Sequence, residues 1–427
     1  MDGKVVEAKK RKWGIRINNS DNITLKNIHV KAASMKVDNS DHLHVTNSSF
    51  QYLHPFLYRR SYGVLKEGIM ITNSDNGVYE NNLIAHTWGS GFIVDSGNNN
   101  KIHNNIIEDI GWLGQFTVSL FNEADNTVVT QNTFGKAARS HIRATAPVKS
   151  IITDNHMFEA MAMGEDAGAI MMTSTAKADY LDLKNTEIAY NHIHDIYGIP
   201  AMDTSPIYNR QTVVAFYMED VANYTVHHNL VYNLSGDYSR STQGAAVQPD
   251  GKVVYLGPRN RNMPDKVNYY NNTFYNYDGL FSLWHHDENG QLGRISNGDV
   301  RNNIVMAGKV NKINAKSTGL TYPKIEVNNL TDFFQQLTSS AYNYFITEAN
   351  NSELAQEAFN SEFEDVNSGN FRLTADSEQN ANGEFIEGIT GNPPIARGAW
   401  EGSTLVDKDR VLNAGANISR DDFPVSH

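Results

Sequence analysis

The sequence contains no cysteine, which excludes a disulfide scaffold, a thiolate-ligated metal and a thiol nucleophile. Basic residues are in deficit: 36 Lys and Arg stand against 48 Asp and Glu in 427 residues, a formal net charge of −12. No nucleic-acid partner is expected, because phosphate binding needs a basic footprint. No membrane span is expected either, since no apolar run reaches the ~18–20 residues that a spanning helix requires. The opening Met1-Asp2-Gly3-Lys4 has no signal-peptide hydrophobic stretch, so the chain is either cytoplasmic or lacks an export signal it once had. With 40% hydrophobic and 20% charged residues, the composition is neither disordered nor fibrous.

What is present is a repeat. A hydrophobic residue, two positions usually ending in Asn, and a return to hydrophobic residues recur throughout. Examples are Ile102-His103-Asn104-Asn105-Ile106-Ile107, Val129-Thr130-Gln131-Asn132-Thr133-Phe134 and Val300-Arg301-Asn302-Asn303-Ile304-Val305. Aligned copies place Ile28, Ser48, Asn82, Asn105, Asn132, Asn155, Asn191, Asn229, Asn272 and Asn303 at one position, and eight of these ten are Asn. A minimal unit of 20–23 residues, with an alternating strand upstream of each corner, cannot bury its apolar face alone and must stack on its neighbours. Asn at a repeated corner tolerates the left-handed backbone of a sharp bend and can form an amide ladder along the stack. The expected fold is all-β, a right-handed parallel β-helix of about ten coils over residues 1–307. The handedness comes from known folds of this kind, not from the spacing. Residues 308–427 are expected to supply the last coil or coils, short helices at 331–337 and 352–363, and a C-terminal cap, with 370–402 covering the open edge. The basic run Lys9-Lys10-Arg11-Lys12 reads as a solvated edge at the other end.

Residues beyond the minimal unit gather in two groups, 51–67, 159–167, 196–213 and 234–252 on one side, and 173–184, 256–266 and 287–294 on the other. They flank a sheet made by 168–172, 214–219, 253–256 and 280–286, so a walled groove is expected there. An elongated groove rich in aromatic and hydrogen-bonding residues suits a poly- or oligosaccharide. Alternation turns Phe216 and Met218 inward and Tyr217 and Glu219 outward, with Asp220 ending the strand. The same reasoning turns out His141, Arg143, Tyr255, Trp284 and His286. A carboxyl lining such a cleft beside aromatics can have its pKa raised enough to donate a proton. A second acidic pair, Glu165-Asp166, lies in Gly164-Glu165-Asp166-Ala167-Gly168-Ala169-Ile170, where Asp166 could equally cap turn amides. His194-Asp195 reads either as a polar turn pair or as an acid–base unit. No metal site is expected: His227/His228 and His285/His286 are strand neighbours facing opposite ways, and no zinc-type spacing occurs. No cofactor is expected, although exposed carboxylates leave room for Ca2+.

The Asn-corner repeats over residues 14–305 and the closing segment resemble secreted bacterial carbohydrate-active enzymes built on a right-handed parallel β-helix. Gly164-Glu165-Asp166-Ala167-Gly168-Ala169-Ile170 and Phe216-Tyr217-Met218-Glu219-Asp220 resemble the Asp-Gly-Gly-Ala-Ile-Tyr and Tyr-Leu-Asp-Asp motifs of β-helical glycoside hydrolases, fucosidase- and xylanase-type members included. The resemblance implies catalytic carboxylates at Asp166 and at Asp220 or Glu219. It implies a secreted or periplasmic location. Ala167 departs from the motif's Gly, Met171 from its Tyr and Glu219 from its first Asp.

The expectation is a glycoside hydrolase with Asp166, Asp220 and Glu219 as its acids. Sugar contacts would come from His141, Arg143, Glu165, His194, Tyr217, Tyr255, Trp284 and His286. A polysaccharide lyase and a non-enzymatic glycan-binding solenoid are the alternatives. Flat strands would hold Asp166 and Asp220 roughly 15–20 Å apart at ~3.3 Å per residue, whereas glycosidic hydrolysis needs carboxyls about 5–10 Å apart. Either the 159–167 loop folds back over the groove, or Asp166 binds and the acid at 219–220 has another partner.

Overall fold

The computed structural model describes residues 11–53, 68–114, 116–164, 166–174, 179–198, 213–236, 251–259, 262–285, 293–306, 324–327, 346–399 and 410–424. Each coil contributes three short strands rather than two, because the recurring phrase itself straddles a bend. In one coil these are Phe92–Val94, Lys101–His103 and Ile106–Ile110. Corresponding strands pair in order from coil to coil, giving three sheets of eleven strands each. The pairs are parallel apart from the last in the first sheet, where Gly279–His285 meets Lys324–Val327 antiparallel. Inside the column, aliphatic and aromatic side chains stack in rows such as Leu120, Ile142, Ile170, Phe216, Val254 and Phe281, all buried.

The Asn corner lies between the second and third sheets and divides its two tasks over adjacent residues. The left-handed residue is the one before the aligned position: Asn81, Asn104, Gln131, Asp154, Tyr190, His228, Asn271 and Asn302 all have φ between 50° and 58°. The aligned residue turns inward. Its backbone N–H donates to the side-chain oxygen of the next coil's residue, 2.9–3.1 Å from Asn82 through to Asn351. Its Nδ2 donates to that same oxygen and, from Asn82 on, to a main-chain carbonyl such as Tyr79 O, 2.9 Å from Asn105. Every rung thus satisfies amides that would otherwise be buried and unpaired. The ladder runs one coil further than the aligned copies suggest, to Asn351, which lies 48 residues beyond Asn303. The left-handed corner also breaks strand alternation: His227 and His228 meet, Nδ1 to Nδ1 2.9 Å, instead of facing opposite ways.

The outward, left-handed corner residues hold the C-terminal segment. Asn302 bonds both Glu384 backbone groups, and Asn271 Nδ2 donates to Ala396 O. Further back along the column, Gly415 N donates to Asp154 O, while Arg410 grips the Asp154 carboxylate at 2.5 and 2.7 Å. Asn417 pairs with Asn104, and Phe423 packs on Leu83 and Ile106. The tail therefore runs back along the column as a strap. Ser352–Leu354, expected within a helix, is the last strand of the third sheet, and only Gln356–Glu362 is helical. Phe359, Phe363 and Phe371 cover Tyr275, Ile304 and Met306. The expected helix at 331–337 lies outside the described residues, as do positions 1–10 at the first edge.

Candidate functional site

On the first sheet, parallel in-register pairing lines up outward side chains from successive coils. Arg143, Met171, Tyr217, Tyr255 and Ser282 form one row, and Thr173, Glu219 and Gly257 another. Tyr217 and Tyr255 stack with ring centroids 4.2 Å apart. Two glycines make the packing feasible. A Cβ at Gly168 would sit 3.0 Å from Tyr217 backbone, and one at Gly257 would sit 2.9 Å from the Tyr255 ring and 3.1 Å from Glu219.

Asp166 enters its strand in the left-handed conformation, φ 52°, which turns its carboxylate over the sheet. The Tyr217 hydroxyl reaches back to it, 3.0 Å from Asp166 Oδ1, and lies 3.4 Å from Glu219 Oε1. Thr173 donates to Glu219 Oε2 at 2.7 Å. With one hydroxyl touching both acids, their facing oxygens cannot be further apart than those two contacts end to end. That keeps the pair below the ~10 Å upper limit of glycosidic chemistry. The separation expected from flat strands is corrected accordingly: the segment before the strand folds back, and the facing acid is Glu219. Arg139 pins the fold-back by donating to Asp166 O at 2.6 Å, with its guanidinium 4.4 Å over the Phe116 ring.

The cluster is dry except on the side of Asp166, which is exposed. Tyr217, Tyr255, Glu219 and Arg143 are 3–7% exposed. Burial, then Tyr255, Asp166 and Glu219, pushes the Tyr217 phenol well above its ordinary pKa, so it stays protonated and donates. Burial and the neighbouring Arg139 pull Arg143 down to about 10, against the opposing pull of Tyr217, Glu219 and Asp166. Arg143 Nε and Nη1 find no hydrogen-bond partner among the described residues. Charges in such surroundings act strongly on one another and on any polar group brought between them.

Several expected site residues lie elsewhere. Asp220 is wholly buried at a left-handed corner, φ 52°, with Oδ2 facing Ser174 Oγ at 3.4 Å instead of Tyr217. His141 stands on the outward row but is closed off. Its Nε2 is 2.9 Å from Phe158 O and its Nδ1 3.3 Å from Ser119 Oγ, and burial pushes it down to about 3. His194 belongs to the third sheet, where its Nδ1 lies 2.7 Å from Asp195 Oδ2. Trp284 is placed by its backbone in Gly279–His285, whereas Glu165 and His286 lie outside the described residues. Sequence reasoning missed Arg139 and Thr173. It also missed the approach of His156 to His192 and His194, whose ring nitrogens gather within 4.8 Å. The His192/His194 spacing was visible; the third histidine, one coil earlier, was not.

Residues 9–176 match the family model described as the right handed beta helix region. No curated protein matches the chain. Among solved structures, the crystal structure of pectate lyase Pel9A aligns over 91% of this chain and 86% of that one, at 11% identity and a TM-score of 0.34, too loosely to bear on chemistry. With its eleven-stranded sheets and Asn ladder, the molecule is a right-handed parallel β-helix.

Proposed function

We propose that the protein is a glycoside hydrolase acting on a poly- or oligosaccharide, with Asp166 and Glu219 as its two acids. The observation that carries the reading is the single Tyr217 hydroxyl bridging both carboxylates on the outer face of the first sheet. One carboxyl would protonate the glycosidic oxygen while the other activates water or attacks the anomeric carbon. Tyr217 keeps its proton and can direct its one hydrogen bond to either carboxylate, which supports an acid and a base side by side. Tyr255 offers a flat stacking surface, and Arg143 brings donors that a sugar oxygen could satisfy. Asp166 is the exposed member of the pair, so a sugar ring would approach from its side, above the buried Tyr217 and Glu219. A substrate of polymer size carries with it a secreted or periplasmic location.

A second reading, a polysaccharide lyase, is favoured by Arg143 alone. A buried guanidinium with two unsatisfied nitrogens suits a uronate carboxylate. One experiment separates the two. The chain is incubated with a panel of neutral and uronate-containing polysaccharides, and both reducing ends and ultraviolet absorbance are followed. Hydrolysis yields reducing ends alone, abolished in Glu219→Gln and Asp166→Asn. An unsaturated, absorbing product would replace the hydrolase reading with the lyase. Absence of both across the panel would remove both.

A further inference from the structure

The third sheet carries a second cluster, away from the acids. Strands His156–Phe158 and His192–Gly198 pair with His156 opposite His192 and Phe158 opposite His194. The two-residue spacing puts His192 and His194 on one face of their strand, and the register delivers His156 from the preceding coil. All three are half-buried, and each offers a ring nitrogen within 4.8 Å of the others. His156 Nε2 and His194 Nε2 are only 2.7 Å apart. Two imidazole nitrogens so close must share a proton or a cation.

The surroundings orient one of the lone pairs. Asp195 Oδ2 lies 2.7 Å from His194 Nδ1, and its other oxygen accepts from Tyr197 Oη and Asn233 Nδ2, both at 2.8 Å. An ionised carboxylate there holds the His194 proton on Nδ1 and turns the bare Nε2 toward His156, the arrangement that sets a histidine for metal ligation. Tyr232 Oη lies 3.1 Å from His192 Nε2. From the strap, Gly415 backs onto His156, where a Cβ would come within 2.8 Å of the His156 Cβ.

We propose that His156, His192 and His194 form a binding site for one divalent transition ion of the zinc class, clamping two adjacent coils, with a fourth position left for water. Three imidazoles suit Zn2+, Ni2+ and Cu2+ and not the hard, oxygen-seeking Ca2+. Tetrahedral Zn–N bonds of about 2.0–2.1 Å separate the ligand nitrogens by about 3.3 Å. His156 and His194 therefore need to part by roughly half an ångström, while nitrogens that stand up to 4.8 Å apart must draw in by up to about 1.5 Å, movements that ring rotation supplies. The competing account is a stack of rings, since Phe158, His194 and Tyr232 lie nearly parallel with centroids 5.8 and 5.0 Å apart. Stacking explains the planes of the rings; it does not require the nitrogens to converge or Asp195 to fix one of them.

The test uses the full chain, stripped with a chelator and titrated calorimetrically with ZnCl2 alone. One equivalent should bind, with a Kd on the order of 1 μM or tighter. His194→Asn and His156→Phe should weaken binding at least 100-fold, and Asp195→Asn about 10–100-fold through loss of the second contact. Co2+ loaded into the unaltered chain should give the visible spectrum of a tetrahedral nitrogen site, a readout that needs no variant to fold. Failure to saturate near one equivalent, an octahedral Co2+ spectrum, or unchanged affinity in the folded His194→Asn chain would overturn the proposal. Glycan turnover is not among the readouts, so the outcome stands apart from the hydrolase reading.

Discussion

The outer faces of the first and third sheets grow from the same coils, yet they hold different chemistry. On the first, register puts Arg143 and Tyr217 in one row beside Glu219, and a left-handed entry at Asp166 swings a second acid over the sheet. On the third, register aligns rings: His156, His192, His194 and Tyr232, with Phe371 packed on the last from the cover over the final coils. The coil fixes spacing but not identity. In both places the site arises where neighbouring coils put complementary groups at one register position, and a side chain from outside the strands finishes it. That outside group is the folded-back Asp166 segment on the first sheet and the C-terminal strap on the third.

The largest expected effect breaks the first face only. Glu219→Gln or Asp166→Asn should lower kcat/KM on a responsive glycan by about 10³-fold, within the usual range for losing a catalytic acid or base. Asp220→Asn should leave it nearly unchanged, since Asn also accepts the left-handed corner and Asp220 faces Ser174. Tyr217→Phe should cost less, about 10–100-fold, through loss of the one hydroxyl that touches both acids. An unchanged kcat/KM would mean that the hydroxyl does not touch the working acids.

How much of this could be read in the sequence follows from where periodicity reaches. The Asn corner recurs at one position, so it declared the stack, the ladder and the floor made by Tyr217, Glu219 and Tyr255. Left-handed residues were not legible one by one. At Asp166, Asp220 and His228 a positive φ breaks alternation, and there strand logic misplaced a side chain or a distance. Contacts across irregular spacings were equally hidden: His156 and His192 are 36 residues apart, and nothing in either segment alone announces the other. Motif resemblance supplied Asp166 and Glu219 together with Asp220; only three-dimensional placement separates Glu219 from its neighbour.

Both faces depend on the ladder, which makes it the next way to sharpen the contrast. Asn191→Ala removes an amide that accepts from Asn155 and donates to Ile152 O and Asn229 Oδ1. Stranding several buried groups should cost about 3 kcal/mol or more, read as a fall in urea midpoint. Ser48→Ala, at the thinner end of the column with one hydroxyl to lose, should cost about 1 kcal/mol. Acid should act on His141. Its folded pKa, down at about 3, lies below the unfolded value near 6.5, so the unfolded chain takes up the proton first. Its contribution is therefore complete above pH 6.5 and is lost toward pH 3, by about 1.4 kcal/mol per pH unit. In His141→Asn the pH slope of stability over that window should be shallower by that amount.

The smallest effects test the strap, which touches the third sheet's corner and leaves the acids alone. Arg410 grips Asp154 with two bonds and lies 3.7 Å over the Tyr190 ring, but its side chain is 39% exposed. Solvent screening holds the expected cost of Arg410→Gln to about 1 kcal/mol. Arg420, 54% exposed against Glu108, should matter less, within about 0.5 kcal/mol. Limited proteolysis reads the difference directly, because a loosened tail is cut before the column unfolds. Faster tail cleavage in Arg410→Gln than in Arg420→Gln, with glycan turnover unchanged in both, would show that the strap serves the third sheet and not the first. Turnover falling with tail cleavage would tie the two faces together after all.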